Sequence, residues 1–248
     1  MAVGQQTSSD RGAPVAVVRG AVKTFRVGRE PVRGLQGFDL ELRAGELCAL
    51  VGISGSGKST LLSVLGGLQR TDEGSVVVAG TDLASLSDRE LASYRARTVS
   101  SIFQEYNLLP MLTCLENVAL AGYLVGLGEE ESTRHATSTL VDLGLGDELR
   151  RYPGELSGGQ RQRVAISRAV AGHASGTKRL LLADEPSGSL DASTTDTVLA
   201  ALRAAATSGL AVLVATHDPQ VVAAADRVVT IVEGRNAPAT ATPGLVTA

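Results

Sequence analysis

Hydrophobic positions along the chain fall into two alternating kinds of segment, short apolar runs and stretches with helical periodicity. Residues 1–13 and 236–248 have neither. They are rich in Gly, Ser, Thr, Ala and Pro and read as mobile tails around an ordered region, 14–235. Val15–Phe25 is rich in Val and reads as a strand. Phe38, Leu40 and Leu42 alternate with polar residues, as in a half-buried strand. Leu47–Val51 is a continuous apolar run, which suits a strand buried on both faces of a parallel sheet. A Gly-rich loop and a helix through Leu68 follow. Ser75–Ala79 and Thr98–Phe103 are strand-like, and Ser87 with Glu90 forms a capping box that opens a helix between them.

From Pro110 to Arg151 no strand pattern occurs. Thr113 with Glu116 forms a second capping box, followed by Leu115, Val118, Ala119 and Tyr123 at helical spacing, and Thr133–Leu143 is a second helical stretch. Ser157 with Gln160 opens a long helix through Val170. Leu180–Ala183, Leu210–Ala215 and Val228–Val232 then read as strands, with a helix around Thr194–Ala206. The pattern predicts an α/β fold with parallel strands and a helical insert.

Composition narrows the function classes. The 248 residues suffice for a sizeable core. With 23 Lys and Arg against 26 Asp and Glu, the net charge of −3 argues against a generally basic nucleic-acid binder. No run approaches the ~20 apolar residues of a membrane span. Residues 1–14 lack the apolar core of a signal peptide. Cys48 and Cys114 are far apart and fit no metal-ligand spacing or disulfide framework, in keeping with a reducing cytoplasm.

Candidate chemistry begins at Gly52. The string Gly52-Ile-Ser-Gly-Ser-Gly57-Lys58-Ser59 matches G-x-x-x-x-G-K-[ST] between a buried strand and a helix. Gly52, Ser54, Gly55, Ser56 and Gly57 let backbone N–H groups turn toward phosphates. Lys58 supplies a point charge, Ser59 a hydroxyl for Mg²⁺, and Thr60 continues into a helix whose N-terminus favours anions. Alone, the loop marks a nucleotide binder and not its work. Downstream, the apolar run Leu180–Ala183 ends in Asp184 and Glu185. Such a pair is often a solvated turn, but behind a phosphate loop it suits a metal-holding carboxylate followed by a general base. Leu156-Ser157-Gly158-Gly159-Gln160 caps a helix with two glycines and so offers a second anion site at a helix N-terminus.

LSGGQ, placed after the phosphate loop and before Ala183-Asp-Glu-Pro-Ser-Gly-Ser-Leu-Asp191, resembles the ATP-binding cassette (ABC) ATPases, with the motifs in family order over about Val15–Arg235. The resemblance implies a P-loop NTPase with a RecA-like, mostly parallel sheet, an antiparallel β subdomain and an inserted helical subdomain at about 105–165. It also implies ATP and Mg²⁺ as ligands. Phe25 lies where the family's adenine-stacking aromatic is expected, although a strand Phe also suits a core. Gln104 resembles the Q-loop glutamine that reaches Mg²⁺ with Ser59 and Asp184. Ser157, Gly158, Gly159 and Gln160 resemble the signature that holds the γ-phosphate of a second subunit. Glu185 resembles the catalytic base, Ser189-Leu190-Asp191 the D-loop, and His217 the switch histidine. Arg161, Arg163 and Arg168 read as a solvated helix face with salt bridges, and His135 and His173 as surface residues.

Two departures stand out. The link Val170–Arg179 is longer than usual in the family and lacks a Pro, so it reads as a surface loop; Ser187 replaces a common Thr. Phe103-Gln-Glu-Tyr-Asn-Leu-Leu-Pro110 and Leu112–Val118 resemble the branch that includes lipoprotein-release, macrolide-efflux, antimicrobial-peptide-resistance and cell-division ATPases. The expectation is an ATPase subunit, homodimeric with ATP, on separate transmembrane permease subunits of an exporter-type complex. It would be cytoplasmic and peripheral on the inner face of the membrane. The alternative is a soluble cassette of the iron–sulfur assembly or repair type. Leu108, Leu109, Met111 and Leu112 suit either a docking surface for the membrane partner or the helical subdomain's own core.

Overall fold

The computed structural model describes residues 13–28, 30–188 and 190–237. The expected tails lie outside the described residues at 1–12 and 238–248. Strands β1 (Ala16–Val27) and β2 (Glu30–Leu42) form a long antiparallel pair. After β3 (Leu47–Val51) and helix α1 (Lys58–Leu65), the chain returns through β4 (Glu73–Val78) and β5 (Thr81–Asp82) to complete a four-stranded antiparallel sheet, β2-β1-β4-β5. Helix α2 (Asp88–Thr98) opens on the Ser87–Glu90 capping box and leads into β6 (Val99–Ile102).

Helices α3 (Cys114–Leu124), α4 (Glu129–Asp142) and α5 (Gly158–Ala171) make the insert, and between 110 and 151 the described residues contain no strand. The chain continues through β7 (Leu180–Asp184), α6 (Ala192–Thr207), β8 (Ala211–Ala215), α7 (Pro219–Ala224), β9 (Arg227–Val232) and β10 (Arg235–Asn236). The second sheet has the order β10-β9-β3-β8-β7-β6, with every pair from β9 to β6 parallel.

Its central strands are buried on both faces, as their continuous apolar runs require. Alternate residues Leu180 and Leu182 of β7, and Ala211, Leu213 and Ala215 of β8, join a core with α1 and the antiparallel sheet (Phe38, Leu40, Leu42, Leu61, Leu65). Their neighbours Leu181, Ala183, Val212 and Val214 join Ile166, Val198 and Leu202 on the other face. The helical insert has its own core around Val118, Ala136, Leu140, Leu145 and Val164.

Several expectations need correction. Helix α1 ends at Leu65 and not Leu68. Gly66 caps it through an N–H bond to Leu62 O at 2.8 Å, and Gly67 turns the chain away at φ 64° beside the Tyr94 ring, which leaves Leu68 half exposed. Helix α4 starts four residues earlier than Thr133 because Glu129, Glu130 and Glu131 fill its first turn and favour the positive helix end. Asn236, assigned to a tail, pairs with Ile231 in β10, and its side chain bonds both backbone groups of Asp39 at 2.8 Å.

The link 170–179 is not simply a surface loop. Lys178 is buried, and its ammonium donates to the carbonyls of Arg95 (3.3 Å), Ala96 (2.6 Å) and Val99 (2.6 Å), which ties the link to the end of α2. Burial pushes that ammonium down to about 8. His173, expected at the surface, is half-buried. Its Nδ1 is enclosed without a hydrogen-bond partner among the described residues, and burial lowers its pKa.

Candidate nucleotide site

The phosphate loop leaves β3 at Gly52 and enters α1 at Lys58. Packing demands two of its glycines, Gly52 and Gly57, while Gly55 has open space around it and serves through its left-handed φ of 76°. A Cβ at Gly52 would overlap Ile231 O and Ser56 Oγ, and one at Gly57, where φ is 110°, would overlap Gly34 O. Lys58 donates to the loop carbonyls of Gly52 (2.6 Å) and Ile53 (3.2 Å), which holds its ammonium over the loop. Ser54, Gly55 and Ser59 are exposed, and Thr60 is partly buried. Ser56 Oγ is buried without a hydrogen-bond partner among the described residues.

Strand β7 delivers Asp184 beside α1. Its carboxylate accepts from the Ser59 hydroxyl; burial raises its pKa, and that bond and Lys58 oppose the rise. A hydroxyl and a carboxylate in contact are hard oxygen donors that suit Mg²⁺. Glu185 follows with φ 48°, a left-handed conformation that costs a non-glycine residue about 1–3 kcal/mol. Its N–H binds Ala215 O at 2.9 Å, and its carbonyl accepts from Gln162 Nε2 of α5 at 3.2 Å. His217 leaves the neighbouring β8. Its Nδ1 lies 3.0 Å from Glu185 Oε1, with the imidazole mostly exposed. The loop, the acidic pair and the histidine thus meet at the carboxyl ends of three adjacent strands, β3, β8 and β7.

Phe25 stands near this group. A Cβ at Gly34 would lie 2.7 Å from Thr60 Oγ1 and 2.9 Å from the Phe25 ring, so Gly34 lets the aromatic of β1 approach α1. Lys23 Nζ sits 5.7 Å from the Phe25 ring centre. Gln104 is exposed just after β6. Its neighbour Phe103 shares a small cavity with Ser59 and Asp184, although no contact joins Gln104 itself to them among the described residues.

The glycine signature stands on the insert, not on the strands that carry the loop. Ser157 Oγ accepts from Gln160 N–H at 3.2 Å, and Gln160 Oε1 accepts from Ser157 N–H at 2.9 Å. Gly158 and Gly159 thus open α5 with no acidic residue in its first turn. Asp191, expected near ATP, caps α6 by accepting from Thr194 N–H (3.0 Å) and the Ser193 and Thr194 hydroxyls (2.7 and 2.9 Å). Those bonds hold its carboxyl well below the usual carboxylate range. Ser189 lies outside the described residues.

The three arginines of α5 correct the expected solvated face, for none forms a salt bridge among the described residues. Arg161 donates to Leu156 O (2.7 Å) and Arg168 to Asn107 O and Tyr106 O (2.6 and 2.8 Å). Arg163 Nη1 stands 3.5 Å from Thr194 Oγ1. Carbonyls receive Arg161 and Arg168, and a hydroxyl stands opposite Arg163. Of the apolar cluster, Leu108 packs inward on the helical core while Leu109 and Met111 are exposed. Buried Asn117, which sequence reasoning missed, fixes this split by bonding Leu109 N–H (2.8 Å) and the carbonyls of Leu109, Leu112 and Thr113.

Known proteins resemble this chain along most of its length. Residues 35–188 match the family described as ABC transporter. The chain is 43% identical over 227 residues to the macrolide export ATP-binding/permease protein MacB 1/2 of Paracoccus denitrificans, covering 92% of this chain and 33% of that protein. It is 37% identical over 217 residues to the uncharacterized ABC transporter ATP-binding protein YknY of Bacillus subtilis, covering 88% of this chain and 93% of that one. The chain thus spans about a third of the length of its MacB relatives. The dimeric post-hydrolysis structure of the ATP-binding cassette MJ0796 bound to ADP and Pi superposes with a TM-score of 0.84 at 33% identity, over 90% of this chain and 97% of that one.

Proposed function

Because the chain belongs to the ABC transporter family and carries its ATPase fold, we propose that it is the ATP-hydrolysing subunit of a membrane transporter, active as a head-to-tail homodimer on separate permease subunits. The observation that carries this reading is the Glu185–His217 pair, set beside Lys58, Ser59 and Asp184, while the Ser157–Gly159 signature opens a helix of the insert and makes no hydrogen bond with the phosphate loop among the described residues. A site divided in this way needs a second copy to close it. The dimeric MJ0796 cassette bound to ADP and Pi supports that arrangement.

Each residue then has a task. Phe25 stacks on the adenine, and Lys58 with the N–H groups of Gly52–Gly57 binds the phosphates. Ser59, Asp184 and Gln104 would hold Mg²⁺, which would neutralise phosphate charge. Glu185 accepts the proton of the attacking water; His217 orients that carboxylate and reaches the γ-phosphate. The N–H groups at Ser157–Gln160 hold the same γ-phosphate from the other subunit, and Asp191 keeps the adjoining turn in shape by capping α6. Closure pulls on the permease, and hydrolysis releases it.

The docking place for the permease is a groove of about 500 Å³ beside Gln104–Leu112, lined by Leu68, Ala92, Phe103, Leu109, Leu120 and Leu124. Exposed apolar side chains there favour a transporter over a soluble cassette. The names of the MacB relatives favour export. No helix among the described residues is long and apolar enough to cross a membrane. In this reading the permease subunits hold the chain at the inner face. Affinity capture of the tagged chain from detergent-solubilised membranes tests this. An integral membrane protein should co-purify with the parent and not with Leu109→Glu; capture of soluble proteins alone contradicts the transporter assignment.

A further inference from the structure

The Q-loop turn meets the signature helix at Arg168 and again at Arg161, and the Tyr106 hydroxyl stands near the start of that helix. Tyr106 and Asn107, consecutive and neither of them glycine, both adopt left-handed backbone conformations, φ 61° and 49°. Such a pair persists only where neighbours impose it. The imposing group is the Arg168 guanidinium of α5, which forks onto the two carbonyls of that turn, Asn107 O at 2.6 Å and Tyr106 O at 2.8 Å. Two turns closer to the start of α5, the Arg161 guanidinium lies 5.9 Å from the Tyr106 ring centre. At its first residue, the Tyr106 hydroxyl lies 3.7 Å from where a Cβ of Gly158 would stand. The same turn carries Gln104 on one side and the groove residues Asn107 and Leu109 on the other.

We propose that Arg168 is a positioning residue that locks the Tyr106–Asn107 turn to α5, so that the loop bearing Gln104 and the Ser157–Gly159 signature move as one body. A rigid helix gripped near both ends by one loop transmits displacement along its length, whereas a helix touched at one end pivots. The planar guanidinium matters because it reaches two diverging carbonyls at once, which a Lys ammonium cannot do with the same geometry. The role of the signature in this proposal rests on the function proposed above.

Hydrogen–deuterium exchange of the whole chain tests the linkage without a permease. Arg168→Gln and Arg168→Lys should each raise exchange by about tenfold or more at amides 104–109 and again at amides 158–161, with the phosphate loop 52–59 unchanged. Tyr106→Leu keeps Arg168 but removes the ring and hydroxyl, and should raise exchange at 158–161; this variant carries the test if the Arg168 variants fold poorly. Faster exchange at 104–109 with 158–161 as in the parent overturns the proposal, as does no change at either. In a Glu185→Gln background, Arg168→Gln should also weaken ATP-driven dimerisation by about tenfold or more while the monomer keeps its ATP affinity within about threefold. A Glu185→Gln parent that stays monomeric with ATP counts against the proposed function, whereas the exchange pattern judges the linkage by itself.

Discussion

His217 Nδ1 lies 3.0 Å from Glu185 Oε1, and the His217 backbone N–H points at the other carboxylate oxygen, Oε2, at 3.4 Å. One residue at the end of β8 thus holds both oxygens of a carboxylate that follows the neighbouring β7. A carboxylate gripped in this way keeps its direction without a substrate to guide it. His217→Ala removes the side-chain half of that grip. Single-turnover hydrolysis should fall by about 10²-fold or more, with ATP affinity little changed. Hydrolysis at the parent rate would separate the histidine from the chemistry.

The phosphate loop depends on Gly57 as much as on Lys58. Gly57→Ala introduces a Cβ that meets Gly34 O at φ 110°, a conformation that costs a side-chain-bearing residue about 1–3 kcal/mol. Calorimetry should find ATP binding weakened by about tenfold or more, and Lys58→Ala should lose it while keeping the parent's melting temperature. Equal loss of stability in both variants would contradict this separation of shape from charge.

Acid pH should weaken Mg²⁺-ATP binding through Asp184. Burial raises this carboxyl above its ordinary value, so it takes up a proton at a pH where an exposed Asp is still ionised, and the protonated form cannot hold a cation. Titrations from pH 7.5 downward should show affinity falling more steeply for the parent than for Asp184→Asn, the difference cancelling the titration of ATP. Parallel curves would remove Asp184 from the metal site.

Lys178 serves the fold and not the chemistry. Lys178→Met leaves three carbonyls without their donor, at a cost of about 1–3 kcal/mol in denaturant unfolding, with ATP affinity retained. A stability equal to the parent's would show that water replaces the ammonium.

What the sequence made legible was local. The Gly52–Ser59 spacing, the apolar run Leu47–Val51 and the three Ser/Thr capping boxes each need only neighbouring residues, and all recur in the structure. What it hid depends on residues far apart in the chain. Gly34 matters because Gly57, Thr60 and Phe25 converge on it, and nothing near Gly34 announces that. Arg168 looked like a surface charge because its partners are carbonyls 61 and 62 residues away, not carboxylates one helical turn away. Helix α7 was missed although Asp218 and Pro219 are an ordinary helix start, because only Val221 in it is buried and no apolar stripe marks it.

The central claim is that ATP binds between two copies, held by the phosphate loop of one and the Ser157–Gly159 signature of the other. Glu185→Gln keeps the shape of the site and removes the base, so hydrolysis should slow by about 10²–10⁴-fold and the ATP-bound state should accumulate. Sizing chromatography with light scattering is the most direct measurement. Glu185→Gln should run as a dimer with Mg²⁺-ATP and as a monomer without it, and adding Ser157→Arg should return it to monomer while ATP still binds. A Glu185→Gln protein saturated with ATP yet monomeric at tens of micromolar, or a dimer indifferent to Ser157→Arg, would contradict the claim.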